Sequence, residues 1–468
     1  MTLTAKDIVA MGFEGGAWLP RALAEVNAQG LTGQDAVALI RRYAPKPRIP
    51  LHHDPVPFDV HLDAEGPEDE ANVAAVMETM RVLMRTPTLV GGAVMPDACP
   101  AGPVGTIPVG GVAVARNAIH PGMHSADICC SLMLTEFEDA APGDVLNAIH
   151  TVTHFGPGGR RNGERFTLSP KLLDAFRQNP FLRDAKIVQA AQEHLGTQGD
   201  GNHFAFVGTS RETGRTCLVT HHGSRGPGAG LYKLGMRAAE KVRRRLSPET
   251  LEQNAWLEAD SDEGLAYWDA LQLIRKWTKA NHNGLHQAVA ERFRRAITRR
   301  IWNEHNFVFR RGDLYIHAKG ATPVDASLMP DAGDAQIVPL NMAEPILLVR
   351  RRADGPEHGF APHGAGRNRS RTAHKRSLEG RSDAEVFAEE TSGIDARFFC
   401  GRIDVSELPS AYKDAASVRR QMERHRLAEV VDEILPFGAI MAGDWEHDAP
   451  WKVKARAKWA ARGAEAVA

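Results

Sequence analysis

The 468-residue chain is poor in cysteine, has no long apolar run and carries almost no excess of either charge. Each absence excludes something. Its five cysteines, Cys99, Cys129, Cys130, Cys217 and Cys400, are too few and too odd in number for a disulfide framework. In a reducing compartment such thiols are buried, metal-bound or catalytic. No apolar stretch approaches the ~18 residues of a membrane-spanning helix, so no membrane association is expected. The first residues include Lys6, Asp7 and Glu14 and lack the basic start and apolar centre of a secretory leader. The expected location is therefore cytoplasmic. A formal net charge of −1 means that the field of the whole molecule does not announce nucleic acid. No internal repeat or long low-complexity tract interrupts the chain.

What is present is ordinary in amount and uneven in placement. Hydrophobic residues make up 43% and charged residues 25%, enough apolar content for a large core. At roughly 150 residues per domain, length alone would allow about three domains. Residues 1–50 read as an N-terminal helical segment, with helices over 18–28 and 33–43 ended by Pro45, Pro47 and Pro50. A helix is expected over 70–85, and strands with tight loops over 86–124. Further strands are expected at 132–137, 203–207, 217–220, 307–309, 314–316 and 346–349, with a Gly/Arg loop at 155–166. Helices are expected at 144–153, 185–194, 265–278, 286–302 and 418–434. In the fourth of these, Val289, Phe293, Ile297 and Ile301 form one stripe. Strands and helices mix without regular βαβ alternation, so the fold class expected is α+β. Residues 444–468 read as a basic, then Ala-rich, C-terminal tail.

Basic residues crowd two stretches, one with Arg292, Arg294, Arg295, Arg299, Arg300, Arg310 and Arg311, the other with Arg350, Arg351, Arg352, Arg367, Arg369, Arg371, Lys375 and Arg376. Either a solvated face or a phosphate-binding surface would account for them.

Six short stretches carry the residue types of chemistry. Asp127-Ile128-Cys129-Cys130 offers a carboxylate and a thiolate three residues apart, and a thiolate can bridge two metals. Gly199-Asp200-Gly201-Asn202-His203-Phe204 is a Gly-rich turn entering a strand, where backbone N–H groups can approach an anion and His203 could ligate a metal. His221-His222-Gly223-Ser224-Arg225-Gly226 places Arg225 for bidentate phosphate contact. Glu304-His305-Asn306 sits at the end of the arginine-rich helix, and His317-Ala318-Lys319-Gly320-Ala321 follows a strand. His363-Gly364-Ala365-Gly366-Arg367 sets an imidazole among anion-binding groups, where it could act as a nucleophile toward phosphorus. Each alone also admits a plain turn or a buried side chain.

Taken in order, these motifs resemble the RtcB-type RNA ligases, over roughly residues 90–443. The family pattern runs Asp-Ile-Gly-Cys, Gly-Asn-His-Phe, His-x-Gly-Ser-Arg-Gly, His-Asn, Lys-Gly-Ala, His-Gly-Ala-Gly-Arg and Tyr-Lys-Asp. All occur here, the first with Cys129 in place of its Gly and the last as Tyr412-Lys413-Asp414. The resemblance implies one α+β catalytic domain over 51–443, with mixed sheets and flanking helices, which overrides the three-domain prior. It implies that Asp127, Cys130, His203, His221 and His305 hold two Mn²⁺ ions, with Cys130 bridging; a Cys/His/Asp set also accepts Zn²⁺. His363 would attack the α-phosphate of GTP, giving a covalent histidine–GMP that activates an RNA 3′-phosphate, itself formed from a 2′,3′-cyclic phosphate, for joining to a 5′-hydroxyl. Asn202, Lys319, Gly364, Ala365, Gly366 and Tyr412 would line the nucleotide site. Arg225, Arg160, Arg161 and Arg367 would meet RNA or phosphate, and archease is a candidate protein partner.

Several positions depart from that pattern. Cys129, Ser131 and Leu132 replace Gly, Gly and Met, and Ala98-Cys99 replaces Val-His after Met95-Pro96-Asp97. Phe206 stands where Glu is common. Pro339-Leu340-Asn341-Met342-Ala343 replaces Pro-Gly-Ser-Met-Gly, and Ile440-Met441-Ala442-Gly443 lacks the Lys that normally precedes the last Gly. The expected consequence is a divergent paralogue with its metal ligands and nucleophile intact and its guanine contacts reduced. An RNA-end binding protein and a metal-dependent cyclic phosphodiesterase are the competing expectations.

Overall fold

The computed structural model describes residues 2–44, 46–293, 296–445 and 447. Arg294 and Arg295 of the arginine-rich stretch, and nearly all of the expected tail, lie outside the described residues. The chain divides into two compact units. One comprises Met1–Pro50 with Arg244–Glu249 and the other Leu51–Arg243 with Thr250–Ala468. In the small unit, helices Leu19–Ala28 and Gly33–Tyr43 close a cluster of Ile8, Val26, Ala36, Leu39 and Ile40.

The large unit is built on two sheets and is α+β. The eight-stranded sheet runs Gln336–Val338, Ile346–Arg350, Glu429–Met441, Phe204–Ser210, Thr216–His222, Ser131–Phe137 and Ile297–Glu304. Asp395–Phe398 pairs in parallel with Glu429–Met441. The central strands Thr216–His222 and Ser131–Phe137 are buried along their whole length. Their alternate side chains enter two different cores, because successive side chains leave opposite faces of a sheet. Leu132, Leu134, Phe206 and Val219 join one core with Ile346 and Ile434. Ala205, Val207 and Leu218 join the other, under helices Pro142–Val152 and Asp262–Phe293. The five-stranded sheet runs Asp59–Val60, Leu89–Cys99, Val109–Arg116, Leu314–Lys319 and Asn306–Arg311. A single residue, His305, joins the last strand of the large sheet to the edge strand of the smaller one.

Three local expectations are corrected. The helix expected over 286–302 is the end of one long helix, Asp262–Phe293, followed by the strand Ile297–Glu304. Ile297 and Ile301 fit a helical stripe and also the alternate positions of a strand, and pairing with Ser131–Phe137 decides for the strand. The helix expected over 418–434 is Ala415–Arg424, after which the strand Glu429–Met441 begins. The turn between them places Arg426 at φ +54, a conformation usually marked by glycine. The third concerns the stretch from Arg225, which the glycines at 223 and 226 mark as the entry to a Gly-rich loop; it is instead the 22-residue helix Arg225–Leu246. A Cβ at Gly230 or Gly235 would lie 2.6 Å from Ile187 or 2.4 Å from Tyr267. Close packing there overrides the poor helix propensity of glycine. Among the described residues, no helix is long and apolar enough to cross a membrane.

Candidate metal centre

The metal-type ligands converge because strand ends converge. Cys130 precedes Ser131–Phe137, His203 precedes Phe204–Ser210, His221 lies at the end of Thr216–His222, and His305 follows Ile297–Glu304. The register makes them neighbours: Ser131 lies opposite His222 and Glu304, and His221 lies opposite Leu132 and Phe204. Asp127 arrives from the loop before Cys130. A Cβ at position 223 would lie 1.8 Å from Asp127 Oδ1, so only glycine leaves room for that carboxylate.

Two ligand triples result, Cys130–His221–His305 and Asp127–Cys130–His203, and they share Cys130. His221 Nε2 lies 3.1 Å from Cys130 Sγ and 3.2 Å from His305 Nε2. His203 Nε2 lies 3.5 Å from Cys130 Sγ and 3.1 Å from Asp127 Oδ2. An ion with ordinary bonds to nitrogen and sulfur spaces its tetrahedral ligands roughly 3.3–3.6 Å apart. The donors lie at or slightly inside that spacing in each triple, close enough for one ion to sit among them. The tautomer of His221 supports this fit. Its Nδ1 lies 3.1 Å from the Asn202 carbonyl, which only an N–H can satisfy. The Nε2 lone pair then faces thiol and imidazole donors.

Burial and His203 lower His221 to about 3, and burial holds His305 well below the ordinary range. Burial, with Asp127 beside it, pushes the Cys130 thiol well up. Burial also raises Asp127, but the hydrogen bond and charge of His203 outweigh it and leave the carboxyl at about 2. Neutral imidazoles with convergent lone pairs suit a cation, and a bound cation deprotonates a coordinating thiol. Cys129, where the family has glycine, adopts φ +56, a strained conformation for a side-chain-bearing residue.

His363 follows the strand Phe360–Pro362 and faces the same centre, its ring 4.9 Å from that of His305. Its backbone N–H donates to Asp97 Oδ2 at 3.0 Å, and Nδ1 meets the same oxygen at 2.5 Å. Asp97 is fully buried. An acceptor-only carboxylate there fixes the proton on Nδ1 and leaves the Nε2 lone pair directed outward. Lys413 braces the end of the strand Leu89–Cys99 around Asp97 by donating to the carbonyls of Pro96 and Ala98 at 3.1 and 2.9 Å. Gly366, at φ +71, lets the backbone approach: a Cβ would lie 2.0 Å from the Asp97 carbonyl oxygen.

A cavity of about 760 Å³ opens from this centre. Asp127, Cys130, His221, His305 and His363 line it, together with Asn202, Lys319, Gly364, Ala365, Gly366, Arg367 and Tyr412. Burial lowers Lys319 to about 8, with Cys99 opposing the shift. Its Nζ donates to the Ile107 carbonyl at 3.0 Å. Glu407 organises the basic side: it accepts from Arg367, Arg371 and Tyr412 at 2.7, 2.7 and 2.6 Å. Arg367 also lies over the Tyr412 ring at 4.3 Å. Phe204, Phe206, Leu340, Met342, Ile346, Ala439 and Met441 supply an apolar wall.

Other expected residues are placed differently. Arg225 donates to the Gly156 carbonyl and to Thr197 Oγ1, and Arg160 donates to the carbonyls of Val152 and Gly196. Both guanidinium groups tie the 155–166 loop to the 194–199 turn instead of lining the cavity. Arg161 is exposed. Much of the arginine-rich surface is paired. Arg299 and Arg350 share Asp334, Arg311 and Arg351 share Asp325, and Arg352 and Arg426 share Asp354. His222 is no ligand in this arrangement; it stacks on His282 with ring centres 3.5 Å apart. Sequence reasoning missed Asp97, Lys413 and Glu407 as site residues. Met95-Pro96-Asp97 and Tyr412-Lys413-Asp414 were visible as motifs, but their partners lie hundreds of residues away.

A cavity edged by two candidate metal-ligand triples that share a cysteine, and by an oriented histidine, on a mixed two-sheet scaffold, defines an α+β protein with a candidate metal site. A family model described as tRNA-splicing ligase RtcB matches residues 171–442. The chain belongs to the RtcB family. It is similar to the tRNA-splicing ligase RtcB of Aeropyrum pernix, 26% identical over 411 aligned residues that span 71% of this chain and 84% of the relative. The protein of the same description from Archaeoglobus fulgidus is 25% identical, over 81% of this chain and 91% of its own length. The RNA-splicing ligase RtcB of Escherichia coli K12 is 25% identical, over 66% of this chain and 81% of its own.

Proposed function

We propose that the protein is an RNA ligase that joins 3′-phosphate or 2′,3′-cyclic phosphate ends to 5′-hydroxyl ends through a covalent histidine–nucleotide intermediate. The observation that carries this reading is the 2.5 Å contact between His363 Nδ1 and Asp97, which leaves Nε2 uncommitted on a ring 4.9 Å from that of His305. Asp127, Cys130, His203, His221 and His305 would hold two divalent ions, Mn²⁺ by family resemblance, with Zn²⁺ also matching the donor set. Ions bound there neutralise phosphate charge and orient it for in-line displacement.

The chain's own groups then divide the work. His363 Nε2 forms a bond to the α-phosphorus of GTP, and the bond from that phosphorus to the pyrophosphate oxygen breaks. Asp97 holds the ring and stabilises the positive charge that develops on it. An RNA 3′-phosphate oxygen takes the guanylyl group from His363 and regenerates the imidazole. Attack of the 5′-hydroxyl on the activated 3′-phosphate then releases GMP. Arg367, Lys319 and Asn202 line the cavity where anionic phosphates would sit. A reduced Cys130, free to act as a ligand, suits a reducing compartment, and we place the protein in the cytoplasm.

Intact-mass measurement of the full chain with Mn²⁺ and each nucleoside triphosphate tests the reading. The expected result is one nucleotidyl adduct on His363, absent in His363→Ala. The apolar cavity wall favours a second reading, a nucleotide-independent cyclic phosphodiesterase. Cyclic-phosphate opening without nucleotide, preserved in His363→Ala, together with no adduct in the parent chain, would select that reading instead.

A further inference from the structure

A second group of convergent donors lies outside the centre described above. Asp59 and His61 stand two residues apart in the extended segment that begins the smaller sheet. Asp59 pairs with Ala93, and His61 N–H donates to the Val94 carbonyl at 3.0 Å. Alternation along an extended chain puts both side chains on one face. His358 meets them from the turn before the strand Phe360–Pro362. Gly359, at φ +69, closes that turn, and its carbonyl accepts from Val324 N–H at 2.8 Å.

His61 Nε2 lies 3.0 Å from His358 Nε2, and His358 Nε2 lies 3.6 Å from Asp59 Oδ2. All three donor atoms lie within 4.8 Å of one another. That spacing brackets the roughly 3.3 Å edge expected between nitrogen and oxygen ligands of one tetrahedral ion. The surroundings suit a cation. Asp59 pairs with a histidine, and no lysine or arginine pairs with it among the described residues. The neighbouring carboxylate, Asp63, is by contrast held by Arg424 and by His425, each at 3.0 Å. His425 flanks His61, their ring centres 5.4 Å apart, and so closes the far side of the group. Asp59 is 64% exposed, which leaves an entry path and room for water as the remaining ligand.

We propose that Asp59, His61 and His358 form a separate mononuclear site for a divalent transition-metal ion of the zinc class. Two imidazoles and one carboxylate select such ions over calcium or magnesium. The site holds the segment entering the small sheet to the turn that leads, five residues later, to His363.

Cobalt(II) titration of the metal-stripped full chain, followed by absorption spectroscopy and metal analysis, tests this. The thiolate-bearing centre gives an intense sulfur-to-cobalt band through Cys130, whereas a nitrogen/oxygen site gives only weak visible bands, so the two report separately. The expected result is one ion per chain beyond those that report through Cys130. Asp59→Asn should weaken that ion at least tenfold, and His61→Asn should remove it, with the thiolate band unchanged in both. Asp59 is exposed, so its variant remains informative if His61→Asn fails to fold. Unchanged stoichiometry and affinity in Asp59→Asn and His358→Gln would overturn the proposal and leave a plain histidine–histidine hydrogen bond.

Discussion

Two parts of the cavity lining differ in kind. Around the metal-type ligands, Cys130, His203, His221 and His305 sit at strand ends, with their neighbours fixed by register, and His221 and His363 each have one ring nitrogen committed to an acceptor. The apolar wall of Phe206, Met342, Ile346 and Met441 presents side chains without strong hydrogen-bonding groups, where the family pattern carries Glu at one position and Lys near another. Under the proposed function, the difference teaches that reaction chemistry and base recognition are separable. Geometry at the reacting phosphate tolerates little change, because a ligand or nucleophile displaced by an ångström is lost. Recognition of a base can be traded against apolar burial at a cost on the order of 1–3 kcal/mol.

The sharpest way to break this contrast is at Cys130. Because it belongs to both ligand triples, Cys130→Ala is expected to lower affinity for both ions by more than about 100-fold, as loss of a shared ligand should exceed the 10–100-fold typical of outer-shell changes. Metal analysis after gel filtration reads this directly; normal metal content would remove the thiol from the centre. Next in size is Asp97→Asn. It keeps the shape but offers an amide to His363 Nδ1, which disturbs the tautomer. Adduct formation is expected to slow by roughly 10²–10⁴-fold, as for other imidazoles whose orienting carboxylate is neutralised, while metal content stays at the parental level. A matching loss of metal would show that Asp97 acts on the fold and not on the ring. The smallest effect concerns the apolar wall. Rates of adduct formation with GTP and ATP are expected to differ by less than about tenfold, since a wall without donors or acceptors leaves little energy for discrimination. A preference of several hundredfold would place a guanine-reading group elsewhere in the cavity.

Legibility followed the range of the interaction. His203 and His221 stand beside strands that their own sequences announce, and the Gly-rich turns around them are local. Phe204–Ser210 and Thr216–His222 lie within a residue or two of the expected spans at their N-terminal ends. The arginines were harder. Arg225 resembles a phosphate ligand by its motif, yet the fold directs its guanidinium to Gly156 and Thr197. Arg299 and Arg350 resemble a basic surface until Asp334 is brought between them. Exposed pairs of this kind contribute only about 0–1 kcal/mol to stability, but they reduce the positive charge presented to RNA. Long-range steering by these arginines is correspondingly diminished.

By itself the sequence determined which atoms are on offer: a thiol, a carboxylate and a set of imidazoles, three of the imidazoles in short motifs whose glycines permit close approach. Ligand chemistry is a property of side-chain type, and a turn is a property of a few adjacent residues. Tertiary structure alone decided which of those atoms meet. His363 and Asp97 are separated by 266 positions, and Ile297–Glu304 became a strand because Ser131–Phe137 offered it an edge. Pairing energies between distant segments are not written in either segment, so only the folded chain could choose among the arrangements that local pattern allowed.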